Sequence, residues 1–284
     1  MDKKRKTDKP YYSLRIGTHK GEISLDLPAA KKLFLPLYRS FDQKYYFQEA
    51  FGYKCVDSGY IAGTTGQEIE GALLLALRKD YLFPIEDHIS GYTEDDFFDV
   101  VEFLHDHISK PIDGYLHNYH GCGWHYSEFN RLEGQSDFRA ALNPILSCLD
   151  RGFVLSDGGE ILHIAEPGLI PLLEADIPTN DEANVVSRVA AAVKKFRQHR
   201  SSLEERRHAL RDLADVLEYL RPQVKSVLAS KDESDLFKIA NNFGIRHHNA
   251  TQRTDYDAEI WFDWIFYHYL ATIHTVLRLL ERKR

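Results

Sequence analysis

The sequence predicts a mainly α protein, with an α+β N-terminal part that contains one small β-hairpin and a C-terminal bundle of helices. Apolar residues recur at helical spacing along most of the chain, and patterns typical of helix caps precede several of these stretches. The segment 256–282 is apolar on most faces, as expected of the central helix in a small bundle. These observations favour helices packed on helices over a large sheet.

In the N-terminal part, helix caps set the positions of two predicted helices. Thr65 is expected to cap a helix over 67–79, and Thr93 with Asp96 forms the capping-box pattern that starts the next helix. Further helices are expected over the segments 28–41, 136–149, 184–200, 203–221, 232–242 and 256–282.

The helix over 203–221 has a clear start and a clear expected end. Ser202 and Glu205 form a second capping-box pattern at its beginning. Pro222 follows its last residue and is expected to end it, because proline lacks the N–H that a helix interior needs.

One hairpin is predicted near the middle of the chain. Two β-rich runs flank the sequence Asp157-Gly158-Gly159, which is typical of a tight turn. Since a predicted helix precedes it, this segment resembles the second half of a winged helix. The tip of the hairpin has no lysine or arginine, so a structural role is favoured over nucleic-acid binding.

Composition limits the class of protein. The chain of 284 residues has a formal charge of −7, which argues against a general nucleic-acid coat but does not exclude a local basic patch. Its three cysteines are widely spaced, as expected in a reducing compartment. No apolar run is long enough to cross a membrane. A cytoplasmic protein is therefore expected.

We expect three parts along the chain. These are a basic flexible tail (1–19), an N-terminal domain with the winged-helix-like segment (20–176), and a helical bundle (177–284). The boundary between the last two is placed at a change in composition that is marked by the prolines Pro167, Pro171 and Pro178.

The segment 117–125 holds three histidines and one cysteine in nine positions. His117, His120, Cys122 and His125 are the donor types that bind zinc. Their spacing matches no standard zinc finger, and no second ligand pair lies at the usual distance. A polar, aromatic loop between helices, without a metal, is therefore the favoured interpretation, and a zinc site is the alternative.

The stretch 241–249, which reads NNFGIRHHN, is the candidate catalytic site. Arg246 can hold a phosphate, while His247 or His248 can take up and release a proton near neutral pH. RNA cleavage without a metal or other cofactor needs these groups, because a base, an acid and a cation act on the scissile phosphate. Three asparagines would orient them: Asn241, Asn242 and Asn249. The alternative is that these residues cap helices and bridge the connector between them.

The segment 236–280 resembles a HEPN-type domain of bacterial defence proteins, through the run NNFG at 241–244 followed by His247. In related abortive-infection domains the pattern reads arginine-asparagine, an aromatic-glycine pair and then histidine. Here Ala240 or Asn241 occupies the arginine position, and the nearby arginine is Arg246. The resemblance implies a helical bundle that acts as a dimer. It is either a ribonuclease in which Arg246 takes over the arginine's role, or an inactive relative.

The N-terminal part resembles the corresponding domain of AbiJ-type abortive-infection proteins, through the segments 47–53 (FQEAFGY) and 96–103 (DFFDVVEF). Together the two resemblances imply an antiphage defence protein. Its N-terminal domain would sense or dock another defence-system protein or a phage trigger, and its C-terminal domain would act on RNA as a homodimer. The alternative is a non-catalytic adaptor that binds a partner protein or a nucleotide.

A group of basic residues is the candidate RNA path: Lys194, Lys195, Arg197 and Arg200. They fall at the end of the predicted helix 184–200 and would contact phosphates of the substrate. A solvated helix face is the alternative interpretation of the same residues.

Overall fold

The computed structural model describes residues 11–18, 23–150, 152–165, 168–225, 243, 245 and 256–283. This part of the chain is mainly helical, with short strands in small hairpins, so a mainly α class with some β structure is confirmed. It divides into two compact units, Met1–Gly159 and Glu160–Arg284. None of the described helices combines the length and apolar character that a membrane span needs.

The first unit consists of helices and two short antiparallel hairpins, in which β1 pairs with β2 and β3 pairs with β4. In chain order its elements are α1 (Tyr12–Arg15), α2 (Leu27–Gln43), α3 (Gln48–Phe51), β1 (Tyr53–Cys55), β2 (Gly59–Ile61), α4 (Ile69–Leu77), α5 (Ile85–His88), α6 (Glu94–His107), β3 (Lys110–His117), β4 (Gly123–Asn130), α7 (Arg131–Leu146) and β5 (Phe153–Leu155).

Aromatic side chains on α2, α6 and α7 form the core of this unit. Phe34 on α2 and Phe97 on α6 are fully buried and meet edge to face, with ring centroids 5.2 Å apart. Phe138 on α7 is also fully buried, and its ring lies 5.4 Å from that of Phe41. Each such ring removes about 150–250 Å² from water. The three helices therefore provide a firmly packed base for the hairpins.

A buried carboxylate fixes the start of α6. The carboxylate of Asp96 accepts a hydrogen bond from the Thr93 N–H at 3.0 Å, and Thr93 Oγ1 accepts from the Asp96 N–H, so the predicted capping box is confirmed. The Lys79 ammonium lies 2.6 Å from Asp96 and 2.8 Å from Asp99. Burial alone would raise the pKa of Asp96, but hydrogen bonds from Lys79 and Thr93 outweigh it and lower that pKa to about 2.

The second unit is a helical bundle, and its elements in chain order are β6 (Ile161–His163), α8 (Ile170–Glu174), a π-helical turn (Glu182–Val186), α9 (Ser187–Arg197), α10 (Leu203–Val224) and α11 (Ala258–Lys283). Helices α9, α10 and α11 pack around one apolar core. Phe196 stacks on Phe266 with ring centroids 4.0 Å apart. The predicted capping box of Ser202 and Glu205 is confirmed at the start of α10.

The two units divide at the turn of the predicted hairpin, well before the expected boundary at 176/177. Strands β5 and β6 lie on either side of this turn, as the sequence predicts. The main chain of Leu162 in β6 bridges to Gln198, and Arg197 donates two hydrogen bonds to the His163 carbonyl, at 3.0 and 2.9 Å. These contacts assign β6 to the second unit, so the prolines that marked the expected boundary fall inside that unit.

Several predicted helix boundaries are wrong; α7, for example, begins at Arg131 and ends at Leu146, whereas the sequence predicts a helix over 136–149. Two of the differences have a clear local reason. The Thr65 hydroxyl donates to the Ala50 carbonyl at 2.7 Å and accepts from the Gln67 N–H at 3.3 Å in a turn before the helix, and α4 begins only at Ile69. Helix α10 continues through Pro222 to Val224, which is fully buried in the bundle core. Tertiary burial of this last turn outweighs the one main-chain hydrogen bond that proline removes. The predicted helix 232–242 lies outside the described residues.

Replacing Asp96 with alanine is expected to destabilise the protein by about 2–3 kcal/mol. The substitution removes the helix cap and leaves the Lys79 ammonium with one carboxylate partner instead of two. Urea unfolding at pH 7, followed by circular dichroism, measures this loss. Asp95→Ala is the matched control, because Asp95 is an exposed carboxylate in the same first turn, where the helix dipole is worth about 0.3–1 kcal/mol. Equal losses in the two variants would contradict the role given to Asp96.

The contribution of Asp96 should also depend on pH. Its folded-state pKa of about 2 lies below the ordinary aspartate value of about 3.9. The stability it contributes is therefore present above about pH 4 and is lost as the pH falls toward 2. The difference in unfolding free energy between the wild type and Asp96→Ala is expected to shrink over that interval.

Candidate metal centre

The segment from His117 to His125 is the closed end of a hairpin, whereas the sequence favoured a loop between helices. Strands β3 and β4 pair antiparallel, with His117 opposite Gly123. Gly121 and Gly123 have φ angles of 71° and 103°, which glycine adopts without strain. This turn brings the two ends of the segment side by side.

Four potential metal ligands converge at this end of the hairpin. The donor atoms of Cys55, His117, Cys122 and His125 all lie within 4.8 Å of one another. Cys55 is the last residue of β1, so it comes from the other hairpin. Its sulfur lies 3.7 Å from His117 Nδ1, and the Cys122 sulfur lies 3.2 Å from His125 Nε2. Cys55 and His125 are buried, and the other two are partly buried.

These separations fit a tetrahedral zinc ion. Zinc binds sulfur at about 2.3 Å and imidazole nitrogen at about 2.0–2.1 Å. Tetrahedral geometry then places a sulfur and a nitrogen ligand about 3.5 Å apart. The observed sulfur–nitrogen distances of 3.7 and 3.2 Å lie on either side of that value. These two donor pairs therefore need shifts of only a few tenths of an ångström to hold the ion, and all four donor atoms lie within 4.8 Å of one another.

Each histidine is also oriented by a partner on its other ring nitrogen. His117 Nε2 lies 3.1 Å from the carboxylate of Asp57, and His125 Nδ1 lies 3.0 Å from the hydroxyl of Tyr115. Carboxylate and hydroxyl partners of this kind fix the ring and the tautomer of metal-binding histidines. They leave Nδ1 of His117 and Nε2 of His125 to face the two sulfurs.

The local electrostatics favour the protonation states that a metal needs. Hydrogen bonds from the main-chain N–H groups of Asp57 and Ser58 lower the pKa of the Cys55 thiol to about 7. Burial, and then the neighbouring His117, lower the pKa of His125. The cluster therefore favours a thiolate at Cys55 and a neutral imidazole at His125, which are the ligand forms of these side chains.

The buried side chain of Gln48 holds the hairpin against helix α3. Its amide nitrogen donates to the Trp124 carbonyl at 2.9 Å, and its amide oxygen accepts from the Tyr126 N–H at 2.7 Å. These bonds satisfy main-chain groups on both sides of His125. Gln48 thereby sets the position of the strand that supplies a ligand.

The two strands also approach each other closely at Gly114, where the register of β3 is irregular. A Cβ atom at this position would lie 2.4 Å from the carbonyl oxygen of His125 and 2.6 Å from the Cα of Tyr126. No side chain fits in that space. The pairing that brings His125 to the cluster therefore requires glycine at position 114.

Of the four zinc ligands offered by the sequence, the structure brings three together, namely His117, Cys122 and His125. His120 is exposed, and its ring contacts that of Tyr119 at 4.3 Å. The fourth member of the group is Cys55, which lies 62 positions before His117 in the chain, so no local spacing connects the two. One sequence signal could have indicated Cys55 as a ligand. A turn-forming sequence follows it, and the main-chain N–H groups of Asp57 and Ser58 in that turn donate to its sulfur.

The residues that the sequence assigns to catalysis or its support lie outside the described part of the chain: Arg246, His247, His248, Asn241, Asn242 and Asn249. Phe243 and Ile245 of the same stretch are described. Ile245 is buried in the core of the second unit, and the Phe243 carbonyl accepts a hydrogen bond from the Tyr256 hydroxyl at 2.9 Å. These two residues therefore contact the helical bundle.

The predicted RNA path consists of Lys194, Lys195, Arg197 and Arg200. The first two form ion pairs with Glu160 and Asp212, and the third donates its hydrogen bonds to the carbonyl of His163. Arg200 is exposed, with a φ angle of 54°. At least three of these four basic side chains therefore already have partners within the second unit.

Comparisons of the chain with protein-family models, with curated proteins and with solved structures gave no match. Its function is therefore inferred from its own residues.

Replacing Gln48 with alanine is expected to destabilise the first unit by about 2–3 kcal/mol, because two main-chain groups of β4 lose their partner. Amide hydrogen exchange at Tyr126 should accelerate in the same variant. Gln43→Ala, at the exposed end of α2, is the matched control and should change stability by less than about 0.5 kcal/mol. If amide exchange at Tyr126 is unchanged in Gln48→Ala, the two hydrogen bonds of Gln48 are not what holds β4 in place.

Proposed function

We propose that the first unit binds one structural Zn²⁺ through Cys55, His117, Cys122 and His125. The observation that carries this proposal is the convergence of their four donor atoms within 4.8 Å. Two thiolates and two imidazoles in a tetrahedral arrangement are a ligand set typical of structural zinc. The partners of both histidines and the main-chain donors to Cys55 support the same assignment.

The proposed ion is structural because four protein ligands leave no open position for water or a substrate. It would join the turn after β1 to the closed end of the β3–β4 hairpin. Since 62 positions separate Cys55 from His117, this link closes a long loop and restricts the unfolded chain. Binding of the ion would then contribute directly to folding.

Purified protein is expected to contain about one zinc ion per chain by elemental analysis. The Cys122→Ser variant loses one ligand. Loss of a residue that only hydrogen-bonds a metal ligand lowers metal affinity by roughly 10–100-fold. Loss of the ligand Cys122 itself should lower zinc affinity by more than that. Competition with a chromophoric chelator measures this change. Cobalt-loaded wild type should also show thiolate-to-metal absorption that weakens in the variant.

Cys148→Ser is the matched control, because Cys148 lies outside the cluster. It should retain the zinc content and affinity of the wild type. The proposal fails if wild-type protein binds zinc no more tightly than a Cys55→Ser/Cys122→Ser double variant.

For the second unit, we propose the function that its resemblance implies, a metal-independent endoribonuclease of bacterial antiphage defence. It would act in the cytoplasm as a homodimer. Arg246 would hold the scissile phosphate, and His247 or His248 would transfer the proton. Support comes from the run NNFG at 241–244 followed by His247, on which the resemblance rests.

In this proposal the zinc-binding unit would dock a second defence-system protein or a phage component. A non-catalytic adaptor that binds a protein or a nucleotide is the alternative. The alternative is favoured by Ala240, which stands where the related domains have arginine.

Wild-type protein is expected to cleave total RNA, and His247→Ala/His248→Ala and Arg246→Ala should each reduce the rate by roughly 100-fold or more. His208→Ala is the matched control, since His208 is a half-exposed histidine paired with Glu204 on α10. It should cleave at the wild-type rate. Intact RNA after incubation with folded wild type would favour the adaptor.

A further inference from the structure

A cleft in the first unit lies beside the metal centre. Its cavity of about 370 Å³ is within the size range of small-molecule sites. Aromatic side chains from several elements border it, including Tyr38, Tyr45, Tyr60 and Trp124. The zinc proposal makes no use of this space, although Cys122 lies at its edge.

The aromatic walls are held in position by hydrogen bonds and ring contacts. The Tyr60 hydroxyl donates to the Phe51 carbonyl at 2.6 Å. The Trp124 ring stacks on that of Tyr126 with centroids 5.5 Å apart, and Tyr45 lies 5.6 Å from the same ring. Because the face of an aromatic ring carries negative charge density, walls built in this way attract cations.

Carboxylates line the same cleft. Asp42, Glu68 and Glu86 border it, whereas Lys54 is the one lysine or arginine among its described lining residues. Glu86 lies 3.6 Å from the guanidinium of Arg39, which partly balances its charge. The lining therefore has an excess of negative charge.

Asp42 and Glu68 lack such a balance, because no lysine or arginine among the described residues forms an ion pair with either of them. Burial, and then the charge of Glu86, raise the pKa of Asp42. Burial, followed by Asp42 and Glu86, also raises the pKa of the Tyr38 hydroxyl. The smaller contributions of Asp42 and Glu86 to these shifts come from neighbouring negative charge, which a cation in the cleft would offset.

We propose that the cleft binds the alkylammonium group of a small organic cation, with aromatic rings around the charge and Asp42 as its counter-ion. The excess of carboxylates disfavours phosphates and other anions. The aromatic surface favours an alkylated ammonium, which gives up its water more readily than a small metal ion does. This ligand is chemically distinct from the zinc ion, and its binding does not depend on the zinc proposal.

Isothermal titration of the full chain, as purified, with choline tests the proposal. Its neutral isostere 3,3-dimethylbutanol serves as the matched probe, because the two differ in the charge. Choline is expected to bind, and the isostere should bind roughly threefold to thirtyfold more weakly. Asp42→Asn keeps the size of the side chain and should weaken choline binding by a similar factor.

Glu128→Gln is the control variant, since Glu128 is an exposed carboxylate on β4 outside the cleft, and it should retain wild-type affinity. Circular dichroism checks the folding of each variant. If Asp42→Asn does not fold, the comparison of the two probes on wild type still decides. The proposal is overturned if wild type does not bind choline, if the isostere binds equally well, or if folded Asp42→Asn binds choline as wild type does.

Discussion

The placement of the two hairpins in the first unit depends on one polar contact, where the sulfur of Cys55 lies 3.7 Å from Nδ1 of His117. The strands of the first hairpin have three residues each, which is too short to be stable alone. The second hairpin is longer, but Tyr115 and Trp124 on its two strands are exposed, so it buries little apolar surface of its own. The donor cluster joins the two hairpins to each other, and the Gln48 amide joins the second hairpin to α3. A few polar contacts therefore hold the two hairpins, whereas hydrophobic burial holds the helices of this unit.

The second unit is held together in a different way. Its helices surround a continuous apolar core, in which the rings of Phe196 and Phe266 stack with centroids 4.0 Å apart. Stabilisation of this kind is spread over many side chains and tolerates exchanges that conserve volume. In the first unit, by contrast, loss of a single donor or amide leaves polar groups without partners. The same chain thus combines a unit whose hairpins are held by a few polar contacts with a unit that is held mainly by apolar packing.

The sequence predicted those features whose physical cause lies within a few residues. The capping box of Thr93 and Asp96 was found because both partners stand in one helical turn, and the central hairpin was found from its turn sequence. Cys55 was missed because its partners lie 62 or more positions away and meet it only in the folded chain. The hairpin of β3 and β4 was missed because exposed apolar residues occur on both of its strands, which removes the alternation typical of a half-buried sheet.

Gly114 shows how a position without any functional group can control a site. It contributes no donor atom, yet the absence of a side chain there lets β4 approach closely enough to present His125. In a map of mutational tolerance, position 114 would therefore be as restrictive as the ligands themselves. Such a map reports positions where a side chain would clash with the main chain as well as positions that supply ligands. A residue that tolerates no substitution is therefore not necessarily one that binds the ligand.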